Sequence, residues 1–135
     1  MNVLNTILNV DKGAIFTYER EGLTVEEKDN KRAELFAMFP GAVEVVGVWD
    51  GVLEKSFWVS LKNNPLNNVI VKALSWSQDA ILINDPKSGA EILPICQGEN
   101  IKLNALTLIT EYQALKLQGY TKIKHAGEWY FFASL

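Results

Sequence analysis

Ala42–Leu61 reads AVEVVGVWDGVLEKSFWVSL, two runs of β-branched and aromatic residues joined by Asp50-Gly51. A two-residue type I′ turn needs positive φ at both central positions, which Asp tolerates and Gly accepts freely. With that turn, Trp49 faces Val52, Val48 faces Leu53 and Val43 faces Trp58. One face of the hairpin then carries Val43, Val45, Trp49, Val52 and Trp58. The other carries Val46, Val48, Leu53, Phe57 and Val59. Both faces are apolar and each needs a cover, so the hairpin is expected at the centre of a sheet with helices on at least one side.

The flanking segments supply the rest. Val3, Leu4, Ile7 and Leu8 share one side of a short amphipathic helix ending at Lys12-Gly13, and Ala14 to Glu19 reads as a strand. Thr24-Val25-Glu26-Glu27 has the form of a capping box, opening a helix that stops near Met38, before Pro40-Gly41. Its rear, Leu35 to Phe39, is apolar and suited to packing on the hairpin. Asn64-Pro65 opens another helix, with Leu66, Val69, Ile70, Ala73 and Leu74 at helical spacing. Ala80–Asn84 and Ala90–Ile95 read as strands around the turn Asp85–Gly89, the second demoted towards an edge by Pro94. Residues 101–118 fit either one helix from Asn104 or a strand-like IKL followed by a helix capped by Thr110. The second is preferred, with Gly119 ending the helix. Tyr120–His125 and Glu128–Ala133 form a second hairpin. The expected fold is a single α+β domain over residues 1–135: a mainly antiparallel sheet of about five to seven strands with two or three packed helices.

Composition narrows the chemistry. The 135 residues carry a net charge of −3, one Cys and one His. Residues 1–63 hold seven Lys or Arg against ten Asp or Glu, and residues 64–135 hold six against six, so the negative excess lies in the first half. Basic residues are mostly scattered lysines, so nucleic acid is not the expected partner. No signal peptide opens the chain, no apolar run approaches the roughly 20 residues of a membrane span, and a cytoplasmic protein is expected. A zinc site built on nitrogen and sulfur cannot be assembled from one His and one Cys, and no metal or cofactor is expected. Cys96 and His125 would make a nucleophilic dyad only if the fold joined them; a buried small hydrophobe and an exposed strand end are the plainer readings. Gly-rich phosphate loops are absent.

The polar residues that draw attention are Glu54 and Ser56 inside the apolar hairpin, Gln78 before a strand and Asp85 after it. A solvent-facing strand position explains Glu54, and turn chemistry explains Asp85. A polar pocket would need all four to converge. Glu26, Glu27, Asp29 and Glu34 lie on or near the front of one helix, with Asp11, Glu19 and Glu21 just before it. As one face they would suit a protein partner with a basic surface.

Gly51-Val-Leu-Glu54-Lys-Ser56-Phe57, then Gln78-Asp79-Ala80-Ile81-Leu82 and Asp85, resembles small uncharacterised proteins common in bacteriophages and mobile elements. Gly119-Tyr120-Thr121, Gly127 and Trp129-Tyr130 extend the resemblance over roughly residues 42–133. It carries no activity; it implies an accessory protein that blunts a host defence or adjusts host machinery, in the host cytoplasm. The expected function is therefore non-catalytic binding of a host or phage protein, with binding residues Glu26, Glu27, Glu54, Ser56, Gln78 and Asp85 and with homo-oligomerisation open. The alternative is a small enzyme or small-ligand binder built around Glu54, Ser56, Gln78 and Asp85.

Overall fold

Asp50 and Gly51 take φ values of 49° and 79°, the two positive angles that a type I′ turn requires. The turn joins β2 (Val43–Trp49) to β3 (Val52–Ser60), and the register pairs Trp49 with Val52, Val48 with Leu53 and Val43 with Trp58. The computed structural model describes residues 3–18, 22–95 and 98–135. Around the central hairpin lie β1 (Gly13–Thr17), β4 (Ala80–Asp85), β5 (Gly89–Pro94), β6 (Ile101–Leu103), β7 (Leu106–Ile109), β8 (Gly119–His125) and β9 (Glu128–Ser134). They form one nine-stranded sheet in the order β6-β5-β4-β1-β3-β2-β8-β9-β7, every pair antiparallel.

Nine strands exceed the five to seven expected, and the sheet curls into a half-barrel. Leu106–Ile109 supplies a strand that the sequence did not suggest. Four residues immediately ahead of a helix cap look like a lead-in, and their partner Phe131–Ser134 lies far along the chain. The following helix, α4 (Glu111–Ala114), is a single turn, and Gly119 opens β8 rather than closing a helix. Its capping box, Thr110 with Gln113, is present.

Two layers pack on the sheet's faces. On the convex side, α2 (Val25–Met38) and α3 (Leu66–Ser75) bury Leu35, Phe39, Val69 and Ala73 against Ala14, Phe16, Phe57, Val59, Ile81 and Ile83. Phe36 meets Phe57 edge-on at 5.1 Å. Thr24 and Glu27 make both bonds of the expected capping box at the head of α2. Pro65 is the cap of α3, while the Asn64 side chain bonds back to the Ser60 carbonyl.

The concave side is filled by the chain's beginning. Helix α1 (Val3–Asn5) runs on as a π-helical turn over Thr6–Val10 and buries Ile7 among Ile15, Val45, Trp58, Leu106, Ile123 and Phe132. Fully buried Asn84 on β4 ties the curl together. Its Oδ1 accepts from the Leu106 amide at 2.9 Å, and its Nδ2 donates to the Ile7 carbonyl at 3.4 Å. Two strands far apart in the sheet order are thus joined through one side chain. No helix among the described residues is long and apolar enough to cross a membrane.

Candidate functional site

Register and alternation decide what faces the hollow of the curl. Directly paired residues share a face, so Glu54, Gly47, Thr121 and Phe132 form one row across β3, β2, β8 and β9. The next row outward is Val52, Trp49 and Gly119. Glycines at 47 and 119 leave bare backbone on two adjacent strands, and the missing side chains open space beside Glu54. At Gly119 the Trp49 ring occupies the vacated volume: a β-carbon there would lie 2.5 Å from its Cε3. At Gly47 the nearest atom to such a carbon is the Ser56 hydroxyl, at 3.6 Å.

Opposite this wall the curl brings round Leu82, Ile92, Ile101, Leu103 and Leu106 from β4 to β7, enclosing an open cavity of about 820 Å³. Its lining is predominantly apolar. Glu54 and Asp50 are its carboxylates, with Thr121 and Ser134 as hydroxyls. Among the described residues no cation or hydrogen-bond donor engages the Glu54 carboxylate. Trp49 and Val52 stand at the rim with 60% and 63% of their surfaces in solvent, which a ligand in the cavity would reduce. No group of three His, Cys, Asp or Glu side chains with metal-binding geometry occurs among the described residues.

The structure separates the four residues expected to share a pocket. Glu54 lines the cavity. Ser56, two residues deeper on the same face, is buried, and its hydroxyl donates to the Glu54 carbonyl at 3.4 Å. Gln78 is buried behind the end of α3, where its amide donates to the Trp76 carbonyl at 3.4 Å. Asp85 ends β4, about 20 Å along the chain direction from Gln78 at the rise of an extended strand. Its carboxylate accepts from the Lys87 amide at 3.0 Å, and the hydrogen bonds donated by Lys87 and Ser88 hold it below the ordinary carboxylate range. Asp85 is a turn residue.

Glu26 and Glu27 lie in the first turn of α2, on the convex side, away from the cavity. Glu27 is occupied by its cap; the bonds from Thr24 lower its pKa. Glu34 pairs with Lys72 of α3, so part of the anticipated acidic face is internally neutralised. Glu19, Glu21 and Cys96 lie outside the described residues, and His125 ends β8 near the Tyr130 ring.

Sequence reading missed Trp49, Gly47, Gly119 and Thr121 as site residues, and the whole apolar far wall. One signal was available: the hairpin register alone sets Gly47 opposite Glu54, a bare position beside an isolated carboxylate.

No curated protein matches the chain. A family model described as the S-adenosylmethionine lyase family matches residues 15–133, from β1 through most of β9. The match replaces the resemblance to uncharacterised phage and mobile-element accessory proteins. It also overturns the non-catalytic, host-directed binding role and the expectation that the protein is not an enzyme, because the family is named for a bond-breaking activity. Matched over nearly its whole length, the chain belongs to the S-adenosylmethionine lyase family.

Proposed function

We propose that the protein cleaves a carbon–sulfur bond of S-adenosylmethionine, without water or an electron donor, in the concave cavity beside Glu54. The observation that carries this reading is the Glu54 carboxylate, without a partner among the described residues, lining a cavity whose walls are largely apolar. S-adenosylmethionine carries a sulfonium and an ammonium charge. When a C–S bond breaks heterolytically, the bonding pair stays on sulfur, the positive charge there disappears and a neutral thioether leaves. The carbon takes its new bond from an oxygen of the substrate's own carboxylate, closing a lactone as the C–S bond breaks, so no external nucleophile or proton is consumed.

A reaction that discharges its own cation is favoured where charge is poorly solvated. The apolar walls, from Leu82 and Leu106 to Phe132, raise the sulfonium ground state more than a transition state with less charge on sulfur. A carboxylate at the sulfonium would oppose that gain. Glu54 is better used on the α-ammonium group, whose charge survives the reaction, so its attraction adds binding without resisting bond cleavage. Trp49, packed against Gly119 at the rim, supplies a ring face for the adenine. The substrate occurs inside cells, which supports a cytoplasmic location.

The test is direct. Purified protein is incubated with S-adenosylmethionine and no methyl acceptor, and the mixture is followed by liquid chromatography with mass detection. Substrate should fall in proportion to protein while an adenosyl thioether rises in equal amount. Loss at the rate of a protein-free blank would refute the reading.

A further inference from the structure

The cavity carries its charges on one side. Glu54 of β3 and Asp50 of the hairpin turn are carboxylates, and among the described residues lining it there is no Lys, Arg or His. Two strands from Glu54, about 10 Å away at the backbone, the same inner face presents Thr121 of β8. Between them lies Gly47, where a β-carbon would have the Ser56 hydroxyl and the Glu54 carbonyl as its neighbours within 4 Å, so a residue's width of the floor is open. Ser134 of β9 comes two residues after Phe132, the partner of Thr121, which sets the two hydroxyl residues diagonally across neighbouring strands, about 7–8 Å apart at the backbone. Thr121 is 7% exposed, and among the described residues neither hydroxyl is hydrogen-bonded to the protein.

An amino-acid head entering this hollow meets an uneven field. Its ammonium is drawn to Glu54. Its carboxylate, on the same α-carbon, is repelled by Glu54 and Asp50 and turns towards β8 and β9. A carboxylate left without hydrogen bonds against apolar walls is costly, and Thr121 and Ser134 are the side-chain donors on that side. The chemistry also favours neutral donors. In the lactone closure one carboxylate oxygen bonds to carbon while the C–S pair moves onto sulfur, so the negative charge is lost together with the positive one. A guanidinium or ammonium clamp would stabilise the carboxylate before reaction more than in the transition state. A hydroxyl aligns the attacking oxygen with a weaker hold on its charge.

We propose that Thr121 and Ser134 form a cation-free subsite for the substrate's α-carboxylate, holding it across the open floor from Glu54 so that the attacking oxygen is aligned without being pinned by a charge. The proposal rests on the lyase reading of this cavity and adds the groups that fix the nucleophile. It also sets a specificity: the head must carry both an ammonium and a carboxylate. A ligand without the carboxylate leaves both hydroxyls unmatched, and one without the ammonium faces Glu54 and Asp50 uncompensated.

Isothermal titration of the intact protein tests it with two probes: S-adenosylhomocysteine, which keeps the amino-acid head, and methylthioadenosine, which lacks it. Thr121→Val, Thr121→Ser and Ser134→Ala are compared with the parent, each checked for an unchanged thermal midpoint. S-adenosylhomocysteine should bind the parent saturably, weaken by about tenfold in Thr121→Val and in Ser134→Ala, and recover in Thr121→Ser. Methylthioadenosine should bind all four proteins equally. S-adenosylhomocysteine that fails to bind the parent, or is indifferent to either hydroxyl loss, overturns the subsite, as does methylthioadenosine weakening by the same factor. Consumption of S-adenosylmethionine separates this from the lyase reading. A parent that consumes none while the two probes still split removes the lyase and leaves the carboxylate site. A Thr121→Val protein that turns over at the parent's kcat and KM removes the subsite and leaves the lyase.

Discussion

The Trp49 ring lies against the backbone of Gly119 so closely that a β-carbon at 119 would stand 2.5 and 2.7 Å from two of its carbons. Gly13 has the same relationship with Trp58, at 2.0 Å from the indole nitrogen. The two clashes have opposite consequences, because Trp49 is 60% exposed and Trp58 only 3%. Gly119→Ala should swing Trp49 off the rim, changing stability by less than about 1 kcal/mol while shifting tryptophan fluorescence and raising KM. Gly13→Ala has no such exit and should cost about 3 kcal/mol. Thermal melts of both variants, with substrate kinetics for the first, check the contrast.

Glu54→Gln should leave the fold intact, since the residue is exposed and holds no structural bond. Turnover should fall mainly through KM, by about tenfold or more, if the carboxylate pairs with a charge that persists through the reaction. A loss confined to kcat would instead assign Glu54 to the bond-breaking step.

Asn84→Leu removes the acceptor of the Leu106 amide and the donor to the Ile7 carbonyl. Both backbone groups would be left without that partner in the interior, at a cost of about 2–3 kcal/mol. Denaturant melts measure it. Faster hydrogen exchange at the Leu106 amide should accompany the loss, because that bond spans the curl rather than a strand ladder.

Acid should loosen α2 from the sheet. The Arg32 hydrogen bonds hold Glu44 below its ordinary 4.5, against the opposing effect of partial burial. A depressed carboxylate contributes stability that is complete above the unfolded value and lost as pH falls through the folded one, where the unfolded chain already binds the proton. Melting temperature should therefore decline below about pH 4.5, and Glu44→Gln should flatten part of that decline. Equal slopes in the two proteins would remove the ion pair from the account.

What was legible in the sequence was local. Asp50-Gly51 set the hairpin register, and Thr24 and Thr110 announced their caps, because turn and cap chemistry is complete within four residues. The curl was not legible. It depends on β1 lying between β3 and β4, on β2 meeting β8, and on Asn84 reaching Leu106. The cavity draws its walls from both ends of the sheet, so it forms no sequence motif. The enzyme was missed for a related reason. His, Cys and paired carboxylates mark reactions that move protons or make nucleophiles, whereas discharging a sulfonium asks mainly for an apolar enclosure, which in a sequence looks like any core.

Ile7 and Phe132 sit in the same buried cluster although nearly the whole chain separates them. The ribosome makes Ile7 first, and Phe132 emerges only after roughly 6–25 s of further synthesis at 5–20 residues per second. Throughout that interval the N-terminal helix has no finished hollow to enter, and its apolar side is open to chaperones, proteases and neighbouring nascent chains. The convex layer, from β1 to β4 with α2 and α3, is complete well before then. Birth order therefore leaves the helix around Ile7 made well before its shelter, so slowing translation downstream of β4 should lower the yield of folded protein more than slowing it upstream.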